Sequence, residues 1–197
     1  ATTKARLSTV SQSLYEAGKT MGREAAKFIP DGSEILMTMH DEGVSALDDR
    51  LQGAQDGLRE AGKAKIKWRV AISGSTPSES ASVISRELKA HPQIKYVLCT
   101  GQADTEGAAS AIAENFANQG YQAAGFDLSP VILKRIMEGH LAFTIDQQPY
   151  IQGFYPVVQL ALLKRYGIQP SSIDAGAALI TRENAENVME LAKQNYR

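Results

Sequence analysis

Between Gly125 and Gly153 the chain reads strand, polar loop, helix, strand, polar loop, helix. The stretch opens Gly125-Phe126-Asp127-Leu128-Ser129-Pro130 and runs through a helical pattern to Gly139. It closes Thr144-Ile145-Asp146-Gln147-Gln148-Pro149-Tyr150-Ile151-Gln152-Gly153. A strand–helix–strand unit of this kind packs its strands side by side in the same direction, with the helix across one face. Each loop sets an acid beside amide or hydroxyl groups directly after a strand, the edge at which open parallel sheets bind ligands.

The same alternation runs along the whole chain. Apolar runs of strand length fall at 6–10, 34–39, 67–72, 96–100, 122–126, 141–144 and 177–180. Segments of helical period fall at 13–29, 45–61, 77–90, 104–119, 130–138, 150–166 and 183–195. Ser13-Leu14-Tyr15-Glu16 and Thr76-Pro77-Ser78-Glu79 fit the capping box, and Ser129-Pro130 repeats the cap-then-proline arrangement. Gly62, Gly120, Gly139 and Gly167 sit where helices should stop. The pattern predicts an α/β fold: an open, mainly parallel sheet with helices on both faces.

Composition narrows the function classes. Lys plus Arg number 21 and Asp plus Glu 22, a net charge of -1, which gives no electrostatic footprint for nucleic acid. The single cysteine, Cys99, lies in an apolar run and reads as a small core residue. No secretory signal and no membrane-spanning apolar run is present. No dinucleotide glycine pattern follows a strand, and no Gly-x-Ser-x-Gly elbow occurs. Gly57-Leu58-Arg59-Glu60-Ala61-Gly62-Lys63-Ala64 imitates a phosphate loop but lacks its Ser or Thr and falls at a helix end. His40, His91 and His140 have no metal-ligand spacing, so neither metal nor cofactor is expected.

The residues that follow each strand collect the candidate ligand groups: Ser13 after the first, His40, Asp41 and Glu42 after the second with Asp48 beyond, Ser75 after the third, Gln102 and Asp104 after the fourth, Asp127 after the fifth, and Gln147 after the sixth. Carboxylates and amides on one rim can bond a polyhydroxylated ligand in both directions. Helix N-caps favour several of the same residue types, but Asp127 and Gln147 stand beside better cap candidates. No spacing singles out an acid–base pair among Asp41, Asp104, Asp127 and Asp146.

Several segments, in this order and spacing, resemble one family. They are Ser45-Ala46-Leu47-Asp48-Asp49-Arg50-Leu51-Gln52-Gly53, His91-Pro92-Gln93-Ile94-Lys95, Thr100-Gly101-Gln102-Ala103-Asp104, Gly125-Phe126-Asp127, and the run from Glu138 to Gly153. The chain is similar to the sugar-binding proteins of bacterial ABC importers, the ribose-binding-like branch of the type I periplasmic binding proteins. The resemblance implies two α/β lobes joined by three hinge crossings, with sugar bound between them and delivered to a membrane permease outside the cytoplasm. It implies a binding protein rather than an enzyme. Asp127 and Gln147 match the family's sugar-contacting Asp and hinge-proximal Gln. In Gly101-Gln102-Ala103-Asp104 the contacting amide and acid are displaced. Asp48 falls where ribose binders place an arginine, and Ser13 where many relatives carry an acid or Asn.

The resemblance further implies that residues 1–144 form a C-terminal lobe and residues 145–197 the hinge, one helix of the other lobe and a return segment. The family's first lobe, about 100 residues by ordinary domain size, would then lie outside the chain. The helix at 150–166 would expose Ile151, Phe154, Tyr155, Val158, Ala161 and Leu162. A homodimer or a separate N-terminal lobe is the expected cover. The competing reading is the effector-binding core of a lactose-repressor-like regulator, against which stands the lack of a helix-turn-helix.

Overall fold

The computed structural model describes residues 6–41, 43 and 45–197. Eight strands and seven helices alternate among the described residues: β1 (Val10–Ser11), α1 (Leu14–Ala25), β2 (Glu34–Met39), α2 (Ser45–Glu60), β3 (Lys67–Ile72), α3 (Pro77–Ala90), β4 (Tyr96–Cys99), α4 (Gln102–Asn115), β5 (Gln122–Phe126), α5 (Pro130–Glu138), β6 (Phe143–Asp146), α6 (Pro149–Tyr166), β7 (Ile173–Asp174), β8 (Ala178–Thr181) and α7 (Ala185–Lys193).

Six strands form one sheet in the order β3-β2-β4-β5-β6-β8, parallel except for the antiparallel β6–β8 edge. Alternation along β2 divides the core. Ile35 and Met37 face a layer built from Ala17, Met21, Ala54 and Leu58 of α1 and α2. Leu36 faces the other layer, with Ile84, Leu88, Ile112, Ile132 and Val188 of α3, α4, α5 and α7. The chain winds outward from β2 to β3 on one face, then returns to β4 on the other. The order therefore reverses between β2 and β4, and a crevice opens at their carboxyl ends.

Local chemistry fixes several boundaries. Thr76 and Glu79 form the expected capping box at α3, and Ser129 Oγ accepts the Ile132 N–H at α5. Gly139 ends α5 at φ 84, where a side chain would be strained. The capping box expected at Ser13 does not form: the Ser13 side chain makes no cap bond, and its backbone N–H turns to Asp174 Oδ1.

Two strand expectations shift. The first strand begins at Val10 rather than at residue 6, because its partner β7 offers only two residues, Ile173 and Asp174. The sixth runs Phe143–Asp146 rather than 141–144, since pairing with β5 begins at Phe143 and pairing with β8 extends to Asp146, while His140 and Leu141 still bond back to Arg135. β6 therefore crosses the expected boundary between residues 144 and 145, and β8 and α7 complete the same sheet and its helical layer.

α1 and α2 pack unusually close. A Cβ on Gly53 would lie 2.1 Å from Tyr15 O, one on Gly22 2.2 Å from Ala54 O, and one on Gly18 2.3 Å from Arg50 O. Gly57 makes the same approach to Lys19 O, so the phosphate-loop look-alike is a helix-packing surface. α6 is the opposite case: none of its residues is buried. No helix among the described residues is long and apolar enough to cross a membrane.

Candidate functional site

A cavity of about 560 Å³ opens at the β2/β4 reversal, within the ordinary size of small-molecule sites. His40 follows β2, Gly101 and Gln102 follow β4, Asp127 follows β5, and Gln147 follows β6; all line it. Arg50 reaches it from α2.

Arg50 is the residue the strand-end survey missed. It lies on the buried stripe of α2 with Leu47, Ala54 and Leu58, and is 4% exposed. Its Nη1 donates to Thr100 O at 2.9 Å and its Nη2 to Gln12 Oε1 at 3.0 Å. The guanidinium lies 4.1 Å from the centre of the Phe126 ring, a favourable cation–π contact, and its Nε has no partner among the described residues. Burial lowers its pKa, and Asp127 and Asp104 oppose that shift. The signal was legible: an arginine inside an apolar helical stripe is unusual unless paired.

Asp127 stands at φ 72, rare for a residue with a side chain. The position turns the carboxylate back toward β6, where Gln147 Nε2 donates to its Oδ1. Burial raises the Asp127 pKa; Arg50 and the Gln147 bond pull it down, and Asp146 adds to the rise. Gln147 is held by its carbonyl, which accepts from Gln152 Nε2 at 2.6 Å. The site thus combines a buried cation, a carboxylate and an amide, which together can donate to and accept from hydroxyl groups.

The other expected residues fall elsewhere. Asp104 is fully buried beneath the cavity: its Oδ2 accepts from Thr38 Oγ1 and the Thr100 N–H, and its Oδ1 from the Gly101 N–H. It shapes the β4–α4 loop instead of facing the cavity. Asp48 is exposed on α2, two residues from Arg50, and the cavity takes Arg50 in its place. Ser13 is exposed outside the cavity lining. Gln102 lines the cavity, its amide donating to Glu106 Oε1 at 3.1 Å. His40 lines it with a buried Nδ1 that has no partner among the described residues. Glu42 lies outside the described residues. Among the described residues no cluster of His, Cys, Asp or Glu is grouped to hold a metal ion.

Burial pushes the Asp104 pKa up to about 6, against donors from Thr100, Thr38 and Gly101. The folded state then binds this proton more tightly than the unfolded chain, so its stabilising contribution is full below about pH 4 and lost as pH rises through about 6. The difference corresponds to about 3 kcal/mol. Urea titrations across that window should show a component of this sign, absent in Asp104→Asn. An unchanged pH profile in the variant would contradict it.

Three chain segments meet beside the cavity. Gln148, at φ 54, donates from Nε2 to Ala175 O at 2.7 Å. Gln12 Nε2 donates to Gly176 O at 2.9 Å. The segments before α1, before α6 and after β7 are thereby tied to one another by side-chain amides.

Comparison with known proteins matches residues 1–167 to the family described as the periplasmic binding protein domain. The chain belongs to that family. A xylose/arabinose-binding protein, XylF, of Sulfolobus acidocaldarius is 30% identical over 184 residues, covering 90% of this chain and 45% of the relative. This chain therefore spans about half the length of that curated relative. Among solved structures, a periplasmic ribose ABC transporter from Conexibacter woesei superposes with a TM-score of 0.82 at 23% identity, over 100% of this chain and 66% of that one. A carbohydrate transporter from Acidothermus cellulolyticus in complex with myo-inositol gives 0.79 at 22% identity, over 98% and 65%. These structural likenesses carry the periplasmic binding protein fold, as the family resemblance implies and in agreement with the parallel α/β sheet expected from the βα alternation.

Proposed function

We propose that this chain belongs to the solute-binding component of a sugar ABC importer and forms one wall of its carbohydrate cleft. The reading rests on the convergence of Arg50, Asp127 and Gln147 at the strand-order reversal, beside the three tied segments. In this reading Asp127 accepts from sugar hydroxyls, Arg50 and Gln147 donate to sugar oxygens, and no bond is made or broken. The xylose/arabinose-binding relative supports the ligand class. The protein works outside the cytoplasm and hands its ligand to a membrane permease. Residues 1–144, completed by the end of β6, β8 and α7, act as one lobe, and the rest of residues 145–197 as hinge, remnant of the N-terminal lobe and return segment.

Tyr150, Phe154, Val157, Val158, Leu160 and Leu162 of α6 are exposed. Large apolar patches on soluble proteins find partners. We propose that another lobe of the protein or a second copy of the chain covers this one. Sedimentation over a concentration series, with an apolar dye, separates them. A dye-binding monomer favours the other lobe and a dimer the second copy, while a monomer that binds no dye overturns both.

Calorimetric titration of the intact protein with xylose, arabinose, ribose and glucose tests the function. Saturable binding of at least one sugar is expected, and no heat from any of them would refute the reading.

A further inference from the structure

A second cavity, of about 390 Å³, lies behind the first, and Gln102, Asp127 and Gln147 line both. The two cavities therefore adjoin at the hydrogen-bonded Asp127 and Gln147 side chains. The far chamber is completed by Leu128, Ser129 and Pro130 at the start of α5, by Pro149 at the start of α6, and by Asn195 and Arg197 beyond α7.

Its chemistry differs from that of the first chamber. Arg197 donates through Nε and Nη2 to Asp146 Oδ2 at 2.9 and 2.7 Å, so its charge is already engaged. Asp146 is fully buried, and its other oxygen accepts the Gln148 N–H at 2.8 Å. The charged residues lining the far chamber are Asp127, bonded to the Gln147 amide, and Arg197, paired with Asp146. A net anion gains no free cation there, and a cation gains no free carboxylate. What remains for a ligand is neutral hydrogen bonding, with the exposed Asn195 amide on one wall, against the apolar surfaces of Leu128, Pro130, Pro149 and Ala192. Two residues next to lining positions, Tyr150 and Tyr196, bring their rings to 5.3 Å, adding amphipathic aromatic surface near the mouth.

We propose that the far chamber is a second sugar subsite, so that the ligand is a neutral disaccharide or longer glycoside with consecutive units on either side of Asp127. This rests on the reading of the first chamber as a sugar site and specifies the length and charge of its ligand.

Calorimetry on the intact protein compares D-xylose with xylobiose, D-glucose with cellobiose and maltose, and D-galactose with lactose. Asn195→Gly serves as the variant, because Asn195 stands at φ 58, a conformation glycine tolerates. At least one disaccharide should bind tenfold or more tighter than its monosaccharide. Asn195→Gly should weaken that disaccharide about fivefold, one neutral hydrogen bond, and leave the monosaccharide within about twofold. Monosaccharides binding as tightly as every disaccharide, or disaccharide affinity unmoved by Asn195→Gly, would overturn the second subsite and leave the sugar cleft standing. Binding of neither class would overturn both.

Discussion

Arg50→Met should lower sugar affinity about 100-fold and destabilise the fold by about 3–5 kcal/mol. The stability loss follows from removing a buried cation whose field offsets a buried carboxylate: Asp127 would keep its burial and lose its main electrostatic counterweight. Thr100 O and Gln12 Oε1 would lose their donors as well. The affinity loss follows from charge-assisted bonds to ligand, each worth about 1.5–3 kcal/mol. Arg50→Lys keeps the charge but cannot span both acceptors with a fork, so it should recover part of the stability and little of the affinity. Asp127→Asn is the informative partner. It removes the cost of the buried carboxylate but leaves the buried Arg50 without its main counter-charge, so stability should fall less than in Arg50→Met while affinity falls too. Urea unfolding and calorimetry on the three variants read both quantities, and an Arg50→Met protein with parental affinity would remove Arg50 from the site.

Gly53→Val should destabilise the fold by about 3 kcal/mol or more, the upper end of what overpacking costs. The added Cβ would meet Tyr15 O at 2.1 Å and Lys19 N at 2.9 Å, and these are backbone atoms that cannot rotate aside. α2 would have to lift from α1, breaking contacts repeated at Gly18, Gly22 and Gly57. Arg50 belongs to the same interface, its carbonyl lying 2.3 Å from the Cβ position of Gly18. Lifting α2 should therefore move the guanidinium and weaken ligand binding too. A valine at residue 57 should act likewise, whereas one at Gly153, where nothing lies within 4 Å, should be mild. Equal midpoints for the Gly53 and Gly153 variants would contradict the close-packing account.

Legibility in the sequence tracked the physics of each element. β2, β3, β5, α3 and α5 occupy the expected residues because apolar runs, a capping box, and a serine–proline start with a glycine stop mark them locally. β7 was missed because two residues joined only to β1 leave no periodic trace. Asp127 and Gln147 were legible as loop residues directly after strands. Arg50 was overlooked, because it reaches the cavity from the second turn of α2 and a search confined to strand ends stops at Asp48; only its place in an apolar helical stripe marked it. Asp104 looked like a ligand for the opposite reason. Its position after β4 is right, but the N–H groups of Thr100 and Gly101 claim its carboxylate first.

The segments beside the cavity are sewn with glutamine amides and a backbone ladder only two residues long. An amide–carbonyl bond in such a place nets about 1 kcal/mol, because water replaces either partner at little loss. Bending there leaves the six-stranded sheet intact and trades a handful of contacts for solvent. The stiff part of the molecule keeps its strength, and under the proposed sugar-binding reading rearrangement at this seam is cheap enough for the small energy of gripping one solute to drive it.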